Sequence, residues 1–321
     1  MPEHGGDLDQ ALRRYGGCAQ DWIDLSTGIN RQPYPVVDLP FGCWTGLPSR
    51  SEIEALHDAA RQAYGTEAPV LATAGAQAAI GLLPYLSPRG HARILAPTYN
   101  EYAAVLSGAG FDVVETDELE TLAGADLAVV ANPNNPDGRH YEAEHLLALL
   151  PRVGRLVVDE SFADATCGLS LMPRAGQARL VILRSFGKFY GLAGLRLGFI
   201  AGSNADIARL AAMAGPWPVS GAAIAIGKRA LLDHEWAKAT SARLARDCVR
   251  LDRLAASHGW ILVGGTALFR LYETGDSALA QERLGRARIW SRTFPQKPGW
   301  LRLGLPGNEN EWERLTLALK P

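Results

Sequence analysis

Between about residue 50 and residue 202 the chain alternates short apolar, β-rich runs with stretches of helical period, and no other feature restricts its fold as much. The runs fall at 70–73, 93–96, 112–115, 127–131, 156–158, 180–184 and 197–201. Several are apolar throughout, as strands covered on both faces must be. The first helix reads over 51–65, with Ser51 as N-cap, Ile53, Leu56 and Ala60 on one face, and Gly65 at its stop. The pattern predicts an α/β fold with a large, mostly parallel, seven-stranded sheet. After Gly202 the texture changes to long helical stretches at 205–214, 221–232 and 236–258, with Gly215-Pro216-Trp217-Pro218 as a break. Probable strands follow at 260–263, 267–272, 287–290 and 300–305, with helices at 277–286 and 309–319. This organisation predicts an N-terminal arm over 1–30, a large domain over 31–214 and a smaller α+β domain over 215–321.

Composition narrows the function. An apolar share of 47% in 321 residues supports a sizeable core, and a net charge of −2 without a basic block argues against nucleic-acid binding. Anionic small molecules need only a local site and stay open. Cys18, Cys43, Cys167 and Cys248 are too far apart to ligate a metal together, and no H-E-x-x-H occurs, so no metal is expected. Reduced thiols, a start without signal-peptide character and no membrane-length apolar run predict a cytoplasmic protein with no membrane association.

The chemistry gathers in Arg184-Ser185-Phe186-Gly187-Lys188-Phe189-Tyr190-Gly191-Leu192-Ala193-Gly194-Leu195-Arg196-Leu197-Gly198, which begins at the end of a predicted strand. Lys188 is one of five lysines, the others being Lys228, Lys238, Lys297 and Lys320. A lysine crowded by arginines at a sheet end can lose its proton by desolvation and like-charge repulsion, as an imine-forming amine must. The preceding Gly187-Lys188 lacks P-loop spacing. Upstream, Val158-Asp159-Glu160-Ser161-Phe162 puts an acid at a strand end, and Asn132-Pro133-Asn134-Asn135-Pro136-Asp137-Gly138 follows another strand. Thr73-Ala74-Gly75-Ala76-Gln77 joins a strand to a helix whose first amides can face a phosphate.

In order and spacing these motifs resemble the fold type I pyridoxal-phosphate enzymes of the class I/II aminotransferase family, over about Asp24 to Leu319. The resemblance implies pyridoxal 5'-phosphate as cofactor, Lys188 as its Schiff-base lysine, and Asp159 on the pyridine nitrogen. It further implies Ser185, Arg196 and the amides of Gly75, Ala76 and Gln77 at the cofactor phosphate, and Asn135 at the phenolic oxygen. In Pro97-Thr98-Tyr99-Asn100-Glu101-Tyr102, Tyr99 would stack on the ring, with Tyr102 second. Arg302, in Trp300-Leu301-Arg302-Leu303-Gly304, would clamp the substrate α-carboxylate. A homodimer is implied as well.

Within the family, the spacing is similar to the branch shared by histidinol-phosphate aminotransferases and the L-threonine-O-3-phosphate decarboxylases of cobalamin biosynthesis. His4-Gly5-Gly6-Asp7 and Asp24-Leu25-Ser26-Thr27-Gly28-Ile29-Asn30 resemble the arm and D-x-S-x-x-I-N segment of the decarboxylases. They imply His4 and Gly5 at the phosphate of a small phosphorylated amino-acid substrate and Asn30 in its pocket. Phe162 stands where aminotransferases usually carry a tyrosine, and Trp44 where many relatives have one that reaches across a dimer, which leaves Thr45 or no residue for that role. Arg270 reads as a further phosphate contact or as a solvated strand arginine. Two alternatives accompany the decarboxylase: an aminotransferase of the histidinol-phosphate type, and a non-catalytic partner of another cobalamin-pathway enzyme. Retention of Lys188, Asp159 and Arg196 counts against the last.

Overall fold

The computed structural model describes residues 5–36 and 38–320. Its strands, in chain order, are β1 (Ile23–Asp24), β2 (Val70–Thr73), β3 (His91–Leu95), β4 (Asp112–Thr116), β5 (Leu127–Ala131), β6 (Leu156–Asp159), β7 (Leu180–Ser185), β8 (Gly198–Ala201), β9 (Ile261–Thr266), β10 (Phe269–Glu273), β11 (Ile289–Trp290), β12 (Arg292–Thr293) and β13 (Trp300–Gly304). By contacts the chain forms two compact units, one of residues 34–135 and 140–237, the other of the described residues up to 33 with 136–139 and 238–320.

The first unit is built on a seven-stranded sheet in the order β2-β8-β7-β6-β5-β3-β4. Only β8 runs against its neighbours, so the sheet is mostly parallel. Every residue of β2, β5, β6, β7 and β8 is buried, which is why these runs carry no polar alternation. Leu71, Ile94, Val129, Val157, Leu183 and Ile200 pack there with Ile80, Leu83, Tyr102 and Leu106 from the crossovers.

The first long helix spans Arg50–Tyr64, and its N-cap is Ser49, not Ser51. Ser49 Oγ accepts from the Glu52 amide while Glu52 accepts from the Ser49 amide, a reciprocal capping box. Glu54, which would serve Ser51 in the same way, is drawn instead to Arg61 and His57. Helices Asn204–Ala214 and Gly221–Leu231, on either side of the Gly215–Pro218 break, both belong to this unit. The division between units falls inside the following helix, His234–Ser257.

The second unit holds a four-stranded antiparallel sheet, β12-β13-β10-β9, and the short parallel pair β1-β11. Where one strand was expected over 287–290, two two-residue strands form, β11 and β12, each in a different sheet. Segment 136–139 lies directly on β9: a Cβ at Gly264 would stand 2.0 Å from the Asp137 carbonyl oxygen, and one on Gly138, at φ +72°, would strike the Gly265 backbone. Among the described residues no helix is long and apolar enough to cross a membrane.

Candidate active site

Strand register gathers one edge of the seven-stranded sheet. Ala131 lies beside Asp159 and Asp159 beside Leu183, while Ser185 faces Gly198 and Gly198 faces Thr73. The carboxyl ends of β2, β5, β6 and β7 and the start of β8 therefore share an edge, the side on which open α/β sheets bind ligands.

The turn after β2 is tight. Gly75, at φ +80°, caps the helix Ala76–Leu82 with no side-chain bond to its first amides. A Cβ on Gly75 would sit 2.8 Å from Arg196 Nη2, and one on Gly198 would sit 2.6 Å from the Ala76 nitrogen. The absence of both side chains lets a guanidinium and a helix start converge beside Ser185, itself buried at the end of β7. Arg196 is in the left-handed region at φ +54°, and its Nη1 donates to the Ala193 carbonyl. Gln77 accepts from the Tyr99 hydroxyl at 3.1 Å and donates to Glu101 at 2.9 Å, so the half-buried Tyr99 is tied to the same helix start.

Asp159 is buried at the end of β6. Its Oδ1 accepts from the Ser161 amide at 2.7 Å and its Oδ2 from the Tyr102 hydroxyl. Burial, then the Asp159 charge, pushes the Tyr102 phenol well above its ordinary pKa, so it stays a donor. Tyr102 is thus committed to Asp159, a role that its sequence context did not reveal. In the loop after β5, the Asn132 side chain donates to the Tyr141 carbonyl and accepts from the Tyr141 amide, and Asn134 donates to the Pro97 carbonyl, which fixes the approach to Asn135.

Lys188 stands on the four-residue helix Phe186–Phe189 that follows β7. Its Nζ lies 4.3 Å from the centroid of the buried Phe162 ring. Around that ring runs a buried charge network that composition could not show. Arg184 reaches Glu160 at 2.9 Å and Asp164 at 2.9 Å and packs over Tyr64. Glu160 also accepts from Ser170 Oγ and from the Leu171 amide. Burial raises both carboxyls, while on Arg184 it is outweighed by Asp164 and Glu160, so the guanidinium holds its charge.

In the second unit Arg302 lies in β13, buried, with Nη2 donating to the Ser26 carbonyl at 2.6 Å and its guanidinium over Phe269. Burial lowers its pKa to about 10; Arg292 pushes the same way and Asp24 opposes. Arg292 lies directly opposite Arg302 in the β12–β13 register. Arg292 escaped notice because a two-residue strand leaves no periodicity. Gly5 reaches the same place: a Cβ on it would stand 2.5 Å from the Ser26 carbonyl oxygen and 3.3 Å from Arg302 Nη2. Gly6 donates to Ser26 Oγ at 2.8 Å, and Ser26 Oγ donates to Asp24. Asn30 is buried, its Oδ1 accepting from Arg243 and from the Gln32 amide. His4 lies outside the described residues. Arg270 forms a bidentate pair with Asp252, which also accepts from Tyr272, so it is neither solvated nor a spare phosphate contact. Trp44 is 65% exposed, and Thr45 Oγ1 is directed to the Phe41 carbonyl of its own turn.

A seven-stranded sheet with a lysine after one strand end, a buried acid at the next and a tight glycine turn opening a helix beyond defines a fold type I α/β enzyme scaffold. The chain belongs to the Aminotransferase class I and II family, whose profile matches residues 42–319. It is 43% identical to a threonine-phosphate decarboxylase of a Sinorhizobium species, over 98% of this chain and 97% of that one. With the threonine-phosphate decarboxylase of Pseudomonas aeruginosa it shares 42% identity over 99% and 97%. Its fold matches a histidinol-phosphate aminotransferase from Sinorhizobium meliloti, solved in complex with pyridoxal-5'-phosphate, with a TM-score of 0.83 at 21% identity, covering 99% of this chain and 94% of that one.

Proposed function

We propose that this protein is a pyridoxal-phosphate-dependent lyase that converts L-threonine O-3-phosphate to (R)-1-amino-2-propanol O-2-phosphate and CO2, in cobalamin biosynthesis. The observation that carries this reading is the near full-length likeness to two threonine-phosphate decarboxylases.

The residues present suit the cofactor. The cradle that a Cβ on Gly75 or Gly198 would fill offers the helix-start amides of Ala76 and Gln77, a hydroxyl on Ser185 and a guanidinium on Arg196, a donor set matched to a phosphate; the Gly75 amide, also expected there from sequence, is taken by the Thr73 carbonyl at 2.7 Å, and Gly75 contributes by leaving room. Tyr99 supplies a ring face and Asn135 an amide for the phenolic oxygen, and Lys188 is the point of covalent attachment. When bound, the cofactor provides a sink for the electron pair released at the substrate Cα. Asp159, oriented by the Tyr102 hydroxyl and the Ser161 amide, holds a proton on the pyridine nitrogen, which deepens that sink.

Arg302 takes the substrate carboxylate. Arg292, opposite it, and the Gly5 amide would supply charge and a donor for a phosphate, the Gly6 amide being held by Ser26 Oγ, while Asn30 lines the pocket. Arg302, itself pinned to the Ser26 carbonyl, would hold the substrate carboxylate in one orientation. The reading includes a cytoplasmic homodimer. Phe41, Trp44 and Leu47, at 77%, 65% and 70% exposure within one short segment, are apolar surface suited to a second copy.

Purified, cofactor-loaded protein incubated with L-threonine O-3-phosphate should release CO2 and the aminopropanol phosphate with no keto-acid acceptor. Glutamate formation from histidinol phosphate and 2-oxoglutarate, with no CO2 in the first reaction, would replace this reading with an aminotransferase.

A further inference from the structure

Ser161 lies in the turn after β6, two residues beyond Asp159 and one before Phe162, whose ring meets Lys188. The residue is 2% exposed, and its hydroxyl is buried with no hydrogen-bond partner among the described residues. The acceptors nearest to it in the chain are committed elsewhere. Asp159 takes the Ser161 amide on Oδ1 and the Tyr102 hydroxyl on Oδ2, while Glu160 takes Arg184, Ser170 Oγ and the Leu171 amide. Ser170 shows the ordinary arrangement, a hydroxyl spent on a carboxylate. A dry hydroxyl without a partner lowers stability where an alanine would not, and one placed at the ligand-binding edge of the sheet calls for an acceptor on the ligand.

Sheet order singles out that acceptor. β6 stands between β5 and β7, and beyond β7 come β8 and then β2 with the tight turn at Gly75. With Asp159 at the ring nitrogen and Lys188 at the 4′ carbon, the phosphate arm of pyridoxal phosphate would extend toward β8 and β2. The opposite edge of the ring, which carries the phenolic oxygen, would then face the β5 side, where Asn135 follows that strand. Ring nitrogen, phosphate and 4′ carbon are each answered by other residues. The phenolic oxygen has lone pairs for more than one donor, and Phe162 has no hydroxyl to offer it.

We propose that Ser161 is a further cofactor-binding residue, its hydroxyl donating to the phenolic oxygen as a second donor beside Asn135. The proposal rests on the placement of the cofactor given above and not on which reaction follows. Its consequence runs in opposite directions for the two states of the protein. Removing the hydroxyl relieves the cofactor-free chain of an unpaired buried group, and it weakens the hold on the cofactor.

The test uses the full chain, freed of cofactor, and two probes that lack the aldehyde and so cannot join Lys188. One is 4-deoxypyridoxine 5′-phosphate, and the other is its analogue without the ring hydroxyl. Ser161→Ala should raise the dissociation constant of the first probe roughly tenfold, the loss expected for a hydrogen bond to a charged oxygen, and leave that of the second unchanged. The same variant without any probe should melt at a higher temperature than the wild type. Ser161→Cys keeps the size of the side chain and loses most of its donor strength, so it should bind the first probe as weakly as the alanine protein. It also repeats the measurement if the alanine protein does not fold. An unchanged affinity, an equal loss for both probes, a cysteine variant that binds like the wild type, or a lower melting temperature for the probe-free alanine protein would each overturn the proposal. Failure of the wild type to bind the first probe at all overturns the cofactor placement itself, and the proposal with it.

Discussion

Gly75 concentrates three demands on one residue: a φ of +80°, a guanidinium 2.8 Å from where its Cβ would be, and the start of a helix. An alanine there pays about 1–3 kcal/mol for a backbone at φ 80°, ψ 167°, which almost only glycine adopts, and must also displace Arg196. Gly75→Ala should therefore weaken cofactor affinity roughly tenfold or more while leaving the melting temperature of the cofactor-free protein within a few degrees, as absorbance titration and thermal melts would show. The positions of Lys188, Asp159 and Ser185 at strand ends could be read from sequence because each ends an apolar run or follows one. Arg292 could not be, and neither could the pairing of Arg184 with Glu160 and Asp164, since a buried charge looks like a surface one until its partners are in place.

Among elements, β2 is the most instructive because it is an edge strand that leads straight into the tight turn at Gly75. Its Ala72 amide donates to His57 Nε2 at 3.1 Å, and His57 Nδ1 faces Glu54. Burial lowers the His57 pKa below its ordinary 6.5, so the folded protein holds the ring neutral. The unfolded chain binds more protons in the window between that lowered value and 6.5. The contribution of His57 is then complete above pH 6.5 and is lost as pH falls through the lowered native value. His57→Gln keeps an acceptor but cannot titrate, and its melting temperature should fall less than that of the wild type between pH 7 and pH 5. The helix and strand alternation made nearly every element of this sheet legible, but it did not give direction. β8 has the same apolar texture as its parallel neighbours, and it runs the other way because the short lysine-bearing segment after β7 returns to the same edge with no crossover helix. Ser49 and Ser51 both precede a glutamate by three residues, and only the competing hold of Arg61 on Glu54 decides between them.

At the scale of the whole molecule, three large apolar side chains more than 60% exposed within residues 41–47 are costly to leave in water. Light scattering at micromolar concentration should give twice the chain mass. Trp44→Glu should raise the dimer dissociation constant by roughly 30-fold or more, the loss of about 2 kcal/mol expected for a central interface tryptophan. A wild-type monomer would refute the expectation. The unit that carries Arg302 is assembled from both ends of the chain, since β1 pairs with β11 and the Gly5–Gly6 arm closes on Ser26. On the ribosome, at about ten residues per second, Ile23 must wait roughly half a minute for Ile289 to be made. Through that interval the seven-stranded unit can already be complete, so the newborn protein passes through a stage in which the unit of Lys188 and Asp159 exists and the unit of Arg302 is still unwritten.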